Sequence, residues 1–79
     1  MTRTMRELMD DLDEIAGREA IVDAIMKKIG DTSVDPDVIA KWARQTVFDF
    51  ARHNGATPGR ASEIADRVSN RVLGEAQKR

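Results

Sequence analysis

Apolar residues recur at three- and four-residue intervals along most of the chain, which is the spacing of a stripe buried on one side of a helix. The first stripe lies within residues 4–29, and in heptad order it contains Met5, Leu8, Leu12, Ile15, Glu19, Val22, Met26 and Ile29. Seven of these eight positions are apolar. Strict alternation of apolar and polar residues never lasts long enough to indicate a strand. We therefore predict an all-α fold.

Gly17 divides this first stripe, close to its one polar position, Glu19. A single helix over about residues 4–29 would carry a cost of about 1 kcal/mol for the internal glycine. Alternatively, a first helix ends near Ala16 and a second begins at Arg18. We favour the break, which makes the protein a bundle of four helices rather than three.

The next predicted helix covers about residues 36–53. Asp35 is a suitable N-cap, and Pro36 fits the first helical position because a proline there gives up no helical hydrogen bond. Gly55 is suited to the left-handed turn that follows a helix. The expected buried stripe consists of residues at helical spacing: Ile39, Trp42, Ala43, Thr46, Val47 and Phe50.

The last helix is predicted over about residues 58–73. It follows a second cap and proline, Thr57 and Pro58. We end it before Gly74, because glycine weakens a helix. Its expected buried face consists of small and branched residues: Ala61, Ile64, Ala65, Val68, Val72 and Ala76.

Composition limits the core that these helices can build. The chain has 79 residues, enough for one domain, and ten of its hydrophobic residues are alanine. It contains no cysteine, which excludes disulfides, thiolate metal sites and cysteine nucleophiles. No apolar run has the length of a membrane span or a signal peptide. We expect a cytoplasmic protein that supplements its small core by self-association or by binding a partner.

Charge is distributed unevenly, although the net charge is only −1. Residues 1–39 contain ten acidic and five basic side chains, and residues 40–79 contain four and eight. The acidic face comprises Asp10, Asp11, Asp13 and Glu14, and a basic line on the last helix comprises Arg60, Arg67, Arg71 and Lys78. We favour pairing of these two groups, within the chain or across a dimer. The alternative is a surface for phosphates or for an acidic partner.

Phe48 lies about 180° from the expected buried stripe of its helix. Lys41, Arg44 and Arg52 surround it on that outer side. An aromatic ring among long basic side chains is typical of an anchor for a partner protein. The alternative is that this helix is central in the bundle and buries Phe48 against the first helix.

Residues suited to catalysis are scarce. His53 is the one histidine, and its place at a helix end suits the helix dipole better than a role as a base. Asp10, Asp13 and Glu14 share one helix face, but a single face seldom supplies all the oxygen ligands of a metal ion. We expect no enzymatic activity, no cofactor, no bound metal and no small-molecule substrate.

Residues 47–55, Val-Phe-Asp-Phe-Ala-Arg-His-Asn-Gly, followed by Pro58 and by Glu-Ile-Ala-Asp-Arg-Val at 63–68, resemble the first part of a winged helix-turn-helix domain. Ala51 and Gly55 have the spacing of the turn in that family. In the family a further turn, a recognition helix and a β wing follow, for which residues 69–79 leave little room.

The resemblance implies binding to DNA. If residues 61–72 act as the recognition helix, its exposed polar side chains would face the DNA: Arg60, Ser62, Arg67 and Arg71.

These observations favour a non-catalytic binding protein that docks on a larger macromolecule, either another protein or a second copy of the chain, as an accessory regulator or inhibitor. Chains of this size class include inhibitors of host defence that phages or mobile elements encode. The alternative is a helix-turn-helix-like regulator that binds DNA through its last helix.

Overall fold

The computed structural model describes residues 3–78, which form four helices and no strand. The bounds are Arg3–Asp11 for α1, Arg18–Ile29 for α2, Pro36–His53 for α3 and Pro58–Lys78 for α4. The all-α prediction is therefore confirmed. None of these helices combines the length and hydropathy that crossing a bilayer requires.

Gly17 separates α1 from α2, as predicted. Its φ angle of 76° lies in the left-handed region, which a residue with a Cβ atom adopts only at a cost. However, α1 ends at Asp11, earlier than expected, and turns occupy residues 12–17. The reason is packing, because these turns bring Leu12 and Ile15 into the core.

Both proline-led helices begin where the sequence predicts. Asp35 is extended, and its carbonyl accepts a hydrogen bond from the N–H of Ile39 at 3.1 Å. Contrary to expectation, the Asp35 carboxylate makes no capping hydrogen bond. At the start of α4, the Thr57 hydroxyl accepts a hydrogen bond from the N–H of Arg60 at 3.2 Å, so this cap is formed.

α4 continues to Lys78, whereas we expected it to end near residue 73. Ala76, in the additional turn, is buried. The space around Gly74 is open. Packing of the last turn therefore outweighs the cost of about 1 kcal/mol that an internal glycine carries.

α3 and α4 form an antiparallel hairpin and contact each other along their length. The Ser69 hydroxyl donates to the carbonyl of Ala40 at 3.2 Å, and Arg44 Nε lies 2.8 Å from Asp66 Oδ1. Small side chains on both helices are buried: Ala40, Ala43, Ala51, Ala61, Ala65 and Ala76. Alanine is a strong helix former and lets two helix backbones approach closely, so the hairpin is the scaffold on which the other helices pack.

α1 packs on α2 and α4, and α2 contacts each of the other three helices. Together the four helices enclose one core, whose fully buried large side chains are Leu8, Leu12, Val22, Ile25, Ile39, Val47, Ile64, Val68 and Val72. This core combines residues from all three predicted stripes.

Of the two phenylalanines of α3, one lies in an environment different from the one expected. Phe48 is partly buried and packs against the core, as expected if α3 is central in the bundle. The predicted contact with the first helix is not formed between the helices, because α1 contacts α2 and α4. Phe50, expected in the buried stripe, is 40% exposed. The hairpin explains this, because α3 directs Ala51 rather than Phe50 inward at this end. Trp42 is half-buried rather than buried.

Replacing Gly17 by alanine should destabilise the fold by about 1 kcal/mol, because the left-handed φ angle penalises a Cβ atom. Gly74→Ala is the matched control. It should stabilise the protein by about 0.5–1 kcal/mol, since Gly74 is helical and has open space around it. Urea unfolding followed by circular dichroism measures both. Equal effects of the two substitutions would contradict the assigned backbone conformation.

Candidate functional site

The basic line on α4 lies against the acidic first part of the chain. Asp11 is central to this contact. Its carboxylate is ion-paired to Arg71 and lies 3.8 Å from Arg67 Nε. Arg71 also reaches Glu7, with 3.1 Å between Nη1 and Oε2. Asp11 is the least exposed member of these pairs, at 12% of its side chain, so it holds the two arginines in place.

Arg60 forms the other end of the contact. It binds both carboxylate oxygens of Glu14, with 3.0 Å between Arg60 Nε and Glu14 Oε2, and it lies 2.8 Å from Glu63 Oε2. Hydrogen bonding to Arg60 holds the pKa of Glu14 below the ordinary glutamate value. The two carboxylates in turn raise the pKa of Arg60. We call the whole contact the ion-paired seam; its members are Glu7, Asp11, Glu14, Arg60, Arg67 and Arg71.

The seam shows how the two charged groups relate: they pair within one chain. The remaining predicted members lie outside it. Lys78 lies 3.4 Å from Glu75 of its own helix, and Asp13 lies 3.4 Å from Arg18. Asp10 is exposed. Among residues 3–78, no group of three or more carboxylate and imidazole side chains is arranged to hold a metal ion.

Two of the three basic side chains predicted around Phe48 are engaged within the chain. Arg44 is engaged by Asp66 and by the Ser62 hydroxyl at 3.4 Å. Arg52 donates to the carbonyl of Ala56 at 2.8 Å and so supports the turn after α3. Lys41 is exposed. Arg44 and Arg52 are therefore already engaged within the chain, and Phe48 packs against the core.

The exposed apolar surface of α3 lies elsewhere. Within residues 3–78, the exposed large hydrophobic residues are Val38, at 53%, and Phe50, at 40%. They are the two ends of a row at four-residue intervals, with half-buried Trp42 and Thr46 between them. Residues four apart on a helix are neighbours on its surface, so these residues form one continuous ridge. We call it the apolar row.

A second ridge runs beside the apolar row. Its five members are all exposed, and we call it the polar row: Asp37, Lys41, Gln45, Asp49 and His53. The two rows together form the outer face of α3. An open depression of about 250 Å³ lies at its C-terminal end, lined by Asp49, Phe50 and His53. At the other end, Lys28 of α2 lies with its Nζ atom 5.4 Å from the centre of the Trp42 ring.

Part of the exposed face of α3 can be predicted from the sequence. Val38 lies outside the predicted buried stripe, so its exposure was visible from helical periodicity. The prediction that Phe50 is buried is wrong, because its exposure depends on which flank of α3 meets α4. The chemistry of the face is apolar contact combined with charges of both signs, which are features suited to binding.

Asp11→Ala should lower the free energy of unfolding by about 1–2 kcal/mol, because two arginines lose a half-buried partner. Asp10→Ala removes a neighbouring exposed carboxylate and should change it by less than about 0.5 kcal/mol. Urea unfolding in low salt measures both. Equal losses would show that the seam contributes nothing beyond general charge balance.

In the folded chain the pKa of Glu14 should lie below the ordinary glutamate value because Arg60 hydrogen-bonds its carboxylate, and NMR of the side-chain carboxyl measures it. Because the folded pKa is the lower one, the Glu14–Arg60 pair stabilises the fold above the unfolded-state pKa. This stabilisation is lost as the pH falls through the folded value. Arg60→Gln should return the pKa to its ordinary value, whereas Arg67→Gln should change it much less, because Arg67 acts on Glu14 only through weaker coulombic attraction.

No protein-family model, no curated protein and no solved structure matches the chain.

Proposed function

We propose that the chain is a non-catalytic, cytoplasmic binding protein that docks on a partner protein through the outer face of α3, as an accessory regulator or inhibitor. The observation that carries the proposal is the exposure of Val38 and Phe50. They are twelve residues apart on one helix, or about 18 Å along its axis. That length matches a helix laid across a partner surface.

Phe50 is the proposed anchor, in place of Phe48. Its ring is exposed beside an open depression, whereas Phe48 is committed to the core. Aromatic side chains that enter a pocket commonly contribute much of an interface's affinity, because they bury a large area with few rotatable bonds. The partner is expected to offer an apolar pocket for Phe50 and polar groups opposite Lys41 and Asp49.

The arginines of α4 are less suited to this role. Arg60, Arg67 and Arg71 already bind carboxylates of the same chain. A partner would have to replace those bonds before gaining any of its own, and the exchange of one ion pair for another contributes little.

The helix-turn-helix alternative finds less support for the same reason. In addition, α3 and α4 contact each other along their length, and α4 is one helix of 21 residues. The DNA-binding motif needs two helices crossing at a steep angle, with the second one standing clear of the first. DNA binding remains the second proposal. Binding to duplex DNA that weakens steeply with salt and disappears in Arg67→Ala/Arg71→Ala would reverse the ranking.

Phe50→Asp should remove the partner while leaving the fold intact, since Phe50 lies outside the core. Tagged wild-type and variant chains are compared by quantitative pull-down from native lysate. The protein enriched by the wild type should fall about tenfold or more with Phe50→Asp. Asn70→Asp, an exposed change on α4 with the same added charge, should capture it normally.

Circular dichroism and urea unfolding of each variant establish that the fold is retained. If Phe50→Asp is folded and enriches the same protein as the wild type, the outer face of α3 is not the docking surface. If Asn70→Asp loses the protein as well, capture reflects net charge rather than this face.

A further inference from the structure

The charges of the polar row alternate in sign about a central glutamine. Asp37 is followed at four-residue intervals by Lys41, Gln45, Asp49 and His53. The order is therefore acidic, basic, neutral, acidic, basic. Gln45 donates to one carboxylate oxygen of Asp49 at 2.9 Å, which orients this side chain along the row.

The charges of the polar row are complementary to those of the same row running in the opposite direction. If a second copy of α3 lies antiparallel with the two-fold axis at Gln45, each Lys41 meets the Asp49 of the other copy. Each Asp37 then meets His53, the basic residue at the other end of the row. A parallel arrangement in register would instead place every charge opposite an identical one, which is unfavourable. The charge order therefore selects one direction of pairing.

The apolar row has nearly the same centre of symmetry. Val38 and Phe50 are equidistant from residue 44, as are Trp42 and Thr46. The centre of the apolar row is therefore one residue from Gln45, the centre of the polar row. An antiparallel copy thus sets the exposed Val38 against the exposed Phe50.

We infer that the outer face of α3 binds the same face of a second copy, forming an antiparallel two-fold dimer. Such a self-complementary interface is the usual form of a symmetric dimer. The inference rests on the face identified in the proposed function, and it adds a regulatory consequence. The dimer and the complex with the partner protein use one surface and exclude each other, so dissociation of the dimer precedes docking.

The first experiment locates the symmetry axis with single cysteines, since the chain has none of its own. Gln45→Cys should give a covalent dimer with a short thiol-specific cross-linker. Val38→Cys should not, because an antiparallel dimer places its two copies about 20 Å apart. Asn70→Cys, exposed on α4, controls for random collisions. Efficient cross-linking through Val38→Cys, or equal yields at all three sites, overturns the inference.

The second experiment reverses charges and follows the dimer by sedimentation equilibrium. Because one helix face is a small interface, we expect a dissociation constant on the order of 100 µM. Lys41→Glu and Asp49→Lys should each weaken the dimer about tenfold, since the two-fold axis repeats every repulsive contact. The combined variant should recover to within about threefold of the wild type, and an equimolar mixture of the two single variants should associate more tightly than either alone.

Lys27→Glu makes the same change of charge on the exposed side of α2 and should leave the dimer unaffected. A chain that sediments as an 8.8 kDa monomer at millimolar concentration overturns the inference. That result would leave the proposed function standing if Phe50→Asp still removes the partner protein. A dimer without any captured partner would support this inference and count against the docking function.

Discussion

The contact of α1 and its following turn with α4 determines which chemistry this protein presents to solvent. Two interactions meet there. Leu8, Leu12 and Ile15 are buried, and full burial of such a side chain contributes about 1.5–3 kcal/mol. The ion pairs of the seam lie at the surface, where a pair contributes about 0.2–1 kcal/mol. The apolar side chains therefore hold α1 in place, and the ion pairs set its register along α4.

The ion pairs of the seam occupy the arginines of α4, which a partner could otherwise bind. Three arginines in a line would form an effective site for phosphates or for an acidic protein. Here they are satisfied by Glu7, Asp11 and Glu14 of the same chain, so the most conspicuous charged feature of the sequence acts inside the fold. What remains available is the outer face of α3, where charges of both signs lie beside exposed apolar side chains.

The hairpin explains why that face is available. Alanines on α3 and α4 let the two helices pack closely, and Ala40, Ala43 and Ala51 of α3 are buried. The larger residues of α3 are divided between the core and the surface. Ile39 and Val47 join the core, whereas Val38 and Phe50 remain exposed. A chain with a small core that leaves a phenylalanine in water is suited to forming its remaining apolar contacts with another molecule.

Local sequence was sufficient for the helices themselves. Period, proline-led starts and the glycine at residue 17 are properties of short segments, and they predicted the all-α fold, the break in the first stripe and the starts of α3 and α4. Contacts between distant segments were required for the rest. The early end of α1 and the continuation of α4 past Gly74 follow from burial of Leu12, Ile15 and Ala76.

The candidate site divides in the same way. The sequence showed that an acidic and a basic group exist, and it included pairing within the chain among their uses. It could not establish that Arg71 would lie beside Asp11, sixty residues away. The environments of Phe48 and Phe50 depend on the direction from which α4 packs on α3. A rotation of α3 about its own axis would bury one of its flanks and expose the other. Periodicity identifies a buried face, but only the position of the neighbouring helices determines which large residues at its edges are covered.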